Sequence, residues 1–309
     1  MRSSSDSCSR EGQIDCAKNK TRECNPCSGK NSVMKDRKLF VIGTGPGDLN
    51  HISRRAIELL QASDCVAGYT TYIDLIKDVI KDKKIISTGM TKEVDRVELA
   101  IDEALKGNSC SIVSGGDAGI YAMAGLVFEI CQKRGIRLIR HGAENSSELN
   151  NSIKQDLASE RENCLELEVV PGIPALAAGA SLLGAPLTHD FAVISLSDLL
   201  TSWDKIEKRI SAAAAADFVI VIYNPKSKKR DWQLTRAKEL IMAHRDGDTP
   251  VGVVTSAMRE DQTIKITTLK DMDIADVGMQ TILFVGNESS IQYLDFMFTP
   301  RGYAEKYAI

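Results

Sequence analysis

The chain has 309 residues, 43% of them hydrophobic and 26% charged, with a formal net charge of −3. That length allows two domains, each with a core of its own. The mild acidic balance excludes the basic stripe that nucleic acid requires, and no apolar run reaches the ~20 residues of a membrane span, so neither is expected as a partner.

Residues 1–37 are rich in Ser, Lys, Asn and Cys and lack apolar periodicity, so a disordered tail is expected there. The segment carries no apolar h-region of a secretory signal, and Asp6, Glu11, Asp15 and Glu23 argue against a transit peptide. It holds Cys8, Cys16, Cys24 and Cys27. Cys24 and Cys27 have C-x-x-C spacing, and two readings stay open: loose thiols, or ligands of a metal or an iron–sulfur cluster. Cys65, Cys110, Cys131 and Cys164 lie in or beside apolar patterns without paired spacing. They read as reduced, mostly buried thiols of a cytoplasmic protein.

From residue 38 the pattern alternates strand and helix. A strand at 39–42 runs into Gly43-Thr44-Gly45-Pro46-Gly47-Asp48, followed by a helix at 53–61. Then come a strand at 65–67 ending in Gly68-Tyr69, a helix at 72–80, a strand at 85–86 and a helix at 94–105 that Gly107 stops. A strand at 110–114 enters Gly115-Gly116-Asp117-Ala118-Gly119, with a helix from about Ile120. The polar stretch 140–163 reads as a surface insertion. A strand at 165–170 stops at Pro171-Gly172-Ile173-Pro174, and an Ala-rich helix at 175–183 follows. Gly184-Ala185-Pro186 marks a boundary between domains 38–184 and 185–309. Further strands are predicted at 191–195, 218–223, 251–255, 264–268 and 281–285, and helices at 203–214 and 234–244. The strand at 264–268 follows 251–255 too closely for a helical crossover, which predicts antiparallel pairing. The whole is an α/β chain, with a mainly parallel first sheet and a mixed second one.

Glycine-rich turns end three of the predicted strands, and in a parallel sheet such ends share one edge, where ligands bind. The flanking glycines leave the Asp117 carboxylate accessible. A dinucleotide does not fit. Pro46 removes an amide, Asp48 adds a negative charge, and no acid ends the second strand to hold a ribose. No Walker loop is present, and the four histidines show no metal-ligand spacing. His189 reads either as a hydrogen-bonded turn residue or as a residue at the mouth of an interdomain cleft.

Gly43-Thr44-Gly45-Pro46-Gly47-Asp48, Gly115-Gly116-Asp117 with Ile120, Val170-Pro171-Gly172-Ile173 and Ala185-Pro186-Leu187 resemble, in this order, the motifs of the tetrapyrrole methylases. Gly68-Tyr69-Thr70-Thr71-Tyr72, the run His189-Asp190-Phe191 to Leu200, Tyr223-Asn224-Pro225 and Thr299-Pro300-Arg301-Gly302-Tyr303 are similar to the branch that methylates carbon 17 of precorrin-3B with ring contraction. The likeness runs from about Lys38 to Tyr303. Ala118 departs from it, standing where the superfamily usually has proline.

The resemblance implies a two-domain tetrapyrrole-methylase-like fold with an interdomain cleft, S-adenosylmethionine as methyl donor, precorrin-3B or cobalt-factor III as acceptor, and a homodimer. Carried over by position, Pro46, Gly115, Gly116, Asp117, Ile120, Pro174, Ala175, Tyr223 and Asn224 line the donor pocket, with Ser256 or Ala257 closing it. A sulfonium methyl is already activated, so the missing catalytic triad is no obstacle. Tyr69, His189 and Asp190 are the candidates for proton transfer, with Ser195 and Ser197 as hydrogen-bonding partners. Lys226, Lys228, Lys229, Arg230 and Arg301 are the basic residues available to the carboxylates of a tetrapyrrole, against solvated loop charge as the plain reading. Other acceptors on the same fold, and a non-catalytic nucleotide-binding module, remain alternatives.

Overall fold

The first predicted strand lies near the middle of its sheet. In the computed structural model, which describes residues 37–89, 91–142, 163–227 and 230–307, β1 (Lys38–Gly43) lies between β4 (Ser109–Ser114) and β6 (Cys164–Val170). With β2 (Cys65–Tyr69), β3 (Lys84–Thr88) and β5 (Arg137–Arg140) they form a six-stranded sheet in the order β3-β2-β4-β1-β6-β5, every pairing parallel. β1 is buried on both faces and its side chains alternate between them. Leu39 and Val41 join the core under α3 (Glu93–Leu105) and α4 (Met123–Lys133), while Phe40 and Ile42 join that under α1 (Arg54–Ala62) and α2 (Thr70–Leu75). Ser53 caps α1 by accepting from the Ala56 amide at 3.1 Å, a contact worth about 1 kcal/mol. The four tail cysteines, and all but the ends of the expected insertion, lie outside the described residues.

The expected helix at 72–80 is shorter than its pattern. α2 ends at Leu75, and the chain continues in tight turns that still bury Ile76 and Ile80 beside Ile73. Turns closed by bonds from an amide to the carbonyl three residues back satisfy the core without a full helix. α4 begins at Met123 rather than near Ile120, because Tyr121 has a φ of 51° that no helix accommodates. The expectation of four free thiols is also corrected. Cys65 and Cys110 are register partners on β2 and β4, with Cα atoms 4.8 Å apart, and are joined as a disulfide. Forty-five residues separate them in sequence, so only the strand order brings them together.

The second sheet is mixed, in the order β11-β10-β12-β9-β8: β8 (Phe191–Ser195), β9 (Val219–Tyr223), β10 (Pro250–Thr255), β11 (Thr263–Thr268) and β12 (Thr281–Val285). β8 and β9 are parallel, and β10 pairs antiparallel with β11 as the short connection predicts. α6 (Trp203–Ala215) and α7 (Gln233–Met242) supply Ile206, Ile210, Leu234 and Ile241 to the core on one face. α5 (Ala175–Leu183) covers the other, its Ala178 and Leu183 packed with Val254 and Phe284. A three-stranded sheet absent from the sequence reading joins β7 (Gly184–Ala185), β14 (Phe296–Phe298) and β13 (Ile291–Tyr293), ahead of the short α8 (Tyr303–Tyr307). Among the described residues no helix is long and apolar enough to cross a membrane.

Candidate functional site

The strand order β4-β1-β6 sets three loops side by side at one edge: those after β1, β4 and β6. They are held together by backbone. Thr44 and Gly45 donate to the Ser114 and Gly116 carbonyls at 2.9 and 3.0 Å, and the Gly116 amide returns a bond to the Gly45 carbonyl at 2.7 Å. A Cβ on Gly43 would stand 2.6 Å from the Gly172 nitrogen, and one on Gly172 only 2.2 Å from the Gly116 oxygen. Glycine at these positions reflects close backbone approach, not a need for unusual dihedrals.

Asp117 has a role the sequence does not disclose. The expected accessible carboxylate uses one oxygen to accept from the Gly119 amide at 2.8 Å and the other to accept from the Gly172 amide at 3.1 Å. It therefore clamps the β4 loop to the β6 loop. Pro174 and Ala175 open α5 beside it, and a Cβ on Gly116 would lie 3.6 Å from the Pro174 Cα. Tyr69 ends β2 at the same edge; its ring is 5.6 Å from that of Tyr72, whose edge covers Gly115.

The second sheet turns the corresponding edge toward these loops. β8, β9 and β10 run in one direction, so Ser195, Tyr223-Asn224 and Ser256-Ala257 follow their ends along a single edge. Among the described residues, hydrogen bonds join the two edges. The Leu176 amide of α5 donates to the Tyr223 hydroxyl at 2.9 Å; the Tyr121 hydroxyl donates to the Val193 carbonyl at 3.0 Å; the Arg259 Nε donates to the Pro46 carbonyl at 2.9 Å. The Tyr121 and Tyr223 rings meet at 5.3 Å, and burial pushes the Tyr223 hydroxyl up to about 12 and raises that of Tyr121.

The loops at the edge of the second sheet are braced. Asn224, in left-handed backbone with φ 49°, donates from Nδ2 to Ser195 Oγ at 2.9 Å, and the Ser197 amide donates to the same oxygen at 3.2 Å. Arg230 donates to the carbonyls of Leu196 and Asn224 at 3.1 and 2.8 Å. Lys226 donates to the Ile274 carbonyl and Arg301 to that of Thr188. These three of the basic residues expected to meet ligand carboxylates are thus engaged with backbone; Lys228 and Lys229 lie outside the described residues.

The structure brings Pro46, Gly115, Gly116, Asp117, Pro174, Ala175, Tyr223, Asn224 and Tyr69 to these facing edges, with Ile120 on the β4 loop. Ala257 is buried against Ala178 and Phe284, and the single Ser256 hydroxyl proton is shared between Asp261 Oδ2 at 2.9 Å and Gln280 Oε1 at 2.8 Å. His189 and Asp190 are not brought there. They precede β8, whose length puts them roughly 13 Å or more from Ser195, at the opposite edge of the sheet. The His189 Nδ1 accepts from the Asp190 amide at 2.9 Å. Tyr121 and Arg259 went unread because neither belongs to a periodic pattern or a glycine turn.

A parallel sheet whose glycine loops face the strand ends of a second, mixed sheet is the layout of a ligand-binding α/β fold. The chain belongs to the tetrapyrrole (corrin/porphyrin) methylases, whose family model matches residues 38–139 and 153–273. It is 46% identical over 272 residues to the cobalt-factor III methyltransferase of Priestia megaterium, spanning 88% of this chain but only 46% of that protein. It is 46% identical over 265 residues to a probable cobalt-factor III C(17)-methyltransferase of Salmonella typhimurium, covering 86% of this chain and 99% of the other. Among solved structures, that of the methyltransferase CobJ superposes with a TM-score of 0.72 at 29% identity, covering 85% of this chain and 99% of that one.

Proposed function

We propose that this chain transfers a methyl group from S-adenosylmethionine to carbon 17 of cobalt-factor III or precorrin-3B, with the ring contraction that the family resemblance implies. The observation that carries the reading is the set of glycine loops facing the strand ends of the second sheet, in a chain aligned over nearly the full length of a relative named for that activity. The relatives' names favour the cobalt-bearing acceptor, while the longer Priestia protein includes sequence that this chain does not span.

The cradle fits the donor. Its walls are backbone, glycine and small apolar side chains (Pro46, Ala175) with the Asp117 carboxylate between loops, and its glycine loops lack the Gly-Lys-Ser/Thr run of a Walker phosphate loop. S-adenosylmethionine, when bound, supplies a methyl group already activated on a sulfonium. The residues that would hold it are Pro46, the glycines of the β4 loop, the α5 start and Tyr223-Asn224. Their work is to orient and to exclude water, since alignment of donor and acceptor carries most of such a transfer. Tyr69, at the same edge, is the proton-transfer candidate nearest the cradle; its hydroxyl donates or accepts at the macrocycle. His189 and Asp190, ahead of β8, are placed to meet only a part of the acceptor that reaches the far edge of the second sheet. A cytoplasmic homodimer completes the reading, on the resemblance.

The test is methyl transfer from labelled S-adenosylmethionine to cobalt-factor III and, separately, to precorrin-3B, read by mass and absorbance. Labelled product from the cobalt compound is expected; absence of labelled tetrapyrrole from both overturns the proposal.

A further inference from the structure

Arg259 reaches across the cleft from the loop after β10 and lies along the loop after β1. Its stem fills the space of the missing side chain at Gly47: a Cβ there would meet Nε at 2.8 Å, Cγ at 2.9 Å and Cδ at 3.2 Å. Gly47 has a φ of 146°, so glycine is favoured on conformational grounds too. With Nε donating to the Pro46 carbonyl, the guanidinium is held at both the stem and the head. The side chain is half-buried, and among the described residues it has no carboxylate partner. Among the described residues its two η nitrogens have no protein acceptor.

We infer that Arg259 is a carboxylate-binding residue of the cleft, its η nitrogens forming a fork for an acid group of a bound ligand. A planar guanidinium matches a carboxylate in two parallel bonds, and one already held in place loses little freedom on binding. Desolvation of a half-buried cation at a seam between lobes is offset by an anion arriving from the ligand. The inference rests on the methyl-transfer reading, under which the carboxylate has two sources: the amino-acid end of the donor or an acid side chain of the macrocycle. Both present the same chemistry to the fork. It also answers the position of Arg230 and Arg301, which are turned to backbone carbonyls.

The test compares full-length wild type with Arg259→Gln and Arg259→Lys, each checked for an unchanged urea midpoint. Binding is measured for S-adenosylhomocysteine, for 5′-methylthioadenosine, which lacks the carboxylate, and for cobalt-factor III. Loss of a charge-assisted fork predicts a drop of roughly 10- to 100-fold for the carboxylate-bearing ligand in Arg259→Gln, and a smaller one in Arg259→Lys. Weaker S-adenosylhomocysteine with unchanged methylthioadenosine assigns the fork to the donor. Unchanged S-adenosylhomocysteine with weaker tetrapyrrole assigns it to the acceptor. Where Arg259→Gln does not fold, the lysine variant decides, since it keeps the charge and loses the fork. Wild-type affinity for all three ligands in the folded variants overturns the inference alone. Wild-type protein that binds neither S-adenosylhomocysteine nor cobalt-factor III overturns the methyl-transfer reading and this inference with it.

Discussion

Replacing Gly172 by alanine tests whether the cradle is built on backbone contact. The added methyl would stand 2.2 Å from the Gly116 oxygen and 2.7 Å from both the carbonyl carbon and the oxygen of Gly43. Ordinary contact begins at 3.4 Å, and every clashing atom is backbone, so nothing can swing aside. The β4 and β1 loops must move by roughly 1 Å, an overpacking of the kind that costs about 1–3 kcal/mol. Gly172 is not in left-handed backbone, so the loss is steric and not conformational. Gly125 is the control: it is exposed within α4, and a Cβ there meets nothing within 4 Å. The same substitution there stabilises by about 0.5–1 kcal/mol through helix propensity. Urea denaturation separates the two signs, and calorimetric titration with S-adenosylhomocysteine reads the spread of the loops as at least a tenfold weaker affinity for Gly172→Ala only. An unchanged urea midpoint together with unchanged affinity in Gly172→Ala would refute the account of the cradle.

Asp117→Asn keeps one acceptor oxygen but turns an NH2 group toward either the Gly119 or the Gly172 amide, and a stability loss of about 1–3 kcal/mol is expected in urea, with weaker S-adenosylhomocysteine binding; unchanged stability would return Asp117 to a purely ligand-facing role. Tyr223 is favoured as the neutral hydroxyl in the fold, so its contribution is complete below its ordinary pKa near 10 and is lost as pH rises from there to about 12. Of the seven tyrosines, Tyr223 should be the last to ionise in an ultraviolet titration with helicity monitored, and Tyr223→Phe should remove that late step; seven tyrosinates by about pH 11 in folded protein would contradict it. A non-reducing peptide map should join the segments containing Cys65 and Cys110, and reduction should lower the unfolding free energy by about 2–4 kcal/mol; separate peptides would exclude the bond.

The parts of the fold legible in the sequence are those fixed by neighbours in the chain. The run at 39–42 and its glycines announced a buried strand with a close-approach turn. Residues 175–183 and 191–195 were read to the residue because proline and glycine bound the Ala-rich run and polar residues bound the short apolar one. β5 was missed because Arg137 and Arg140 flank only two apolar residues, and β7, β13 and β14 because strands of two or three residues carry no period. At the site, the glycines were legible through their backbone freedom, but their partners were not. That Asp117 would face the Gly172 amide, or Arg259 the Pro46 carbonyl, depends on loops 55 and 213 residues apart, which only the assembled sheets bring together.

The position of β1 also governs how the protein is made. It leaves the ribosome ahead of both its neighbours, yet pairs with β4, which begins at Ser109, and with β6, which ends at Val170. At about 5–20 residues per second, the wait for β6 lasts roughly 6–25 s. Until β4 emerges both edges of this apolar strand are open, and one stays open until β6 follows; non-local pairing of this kind is intrinsically slow. The strand that anchors the cradle is thus also the segment of the nascent chain most exposed to misassociation.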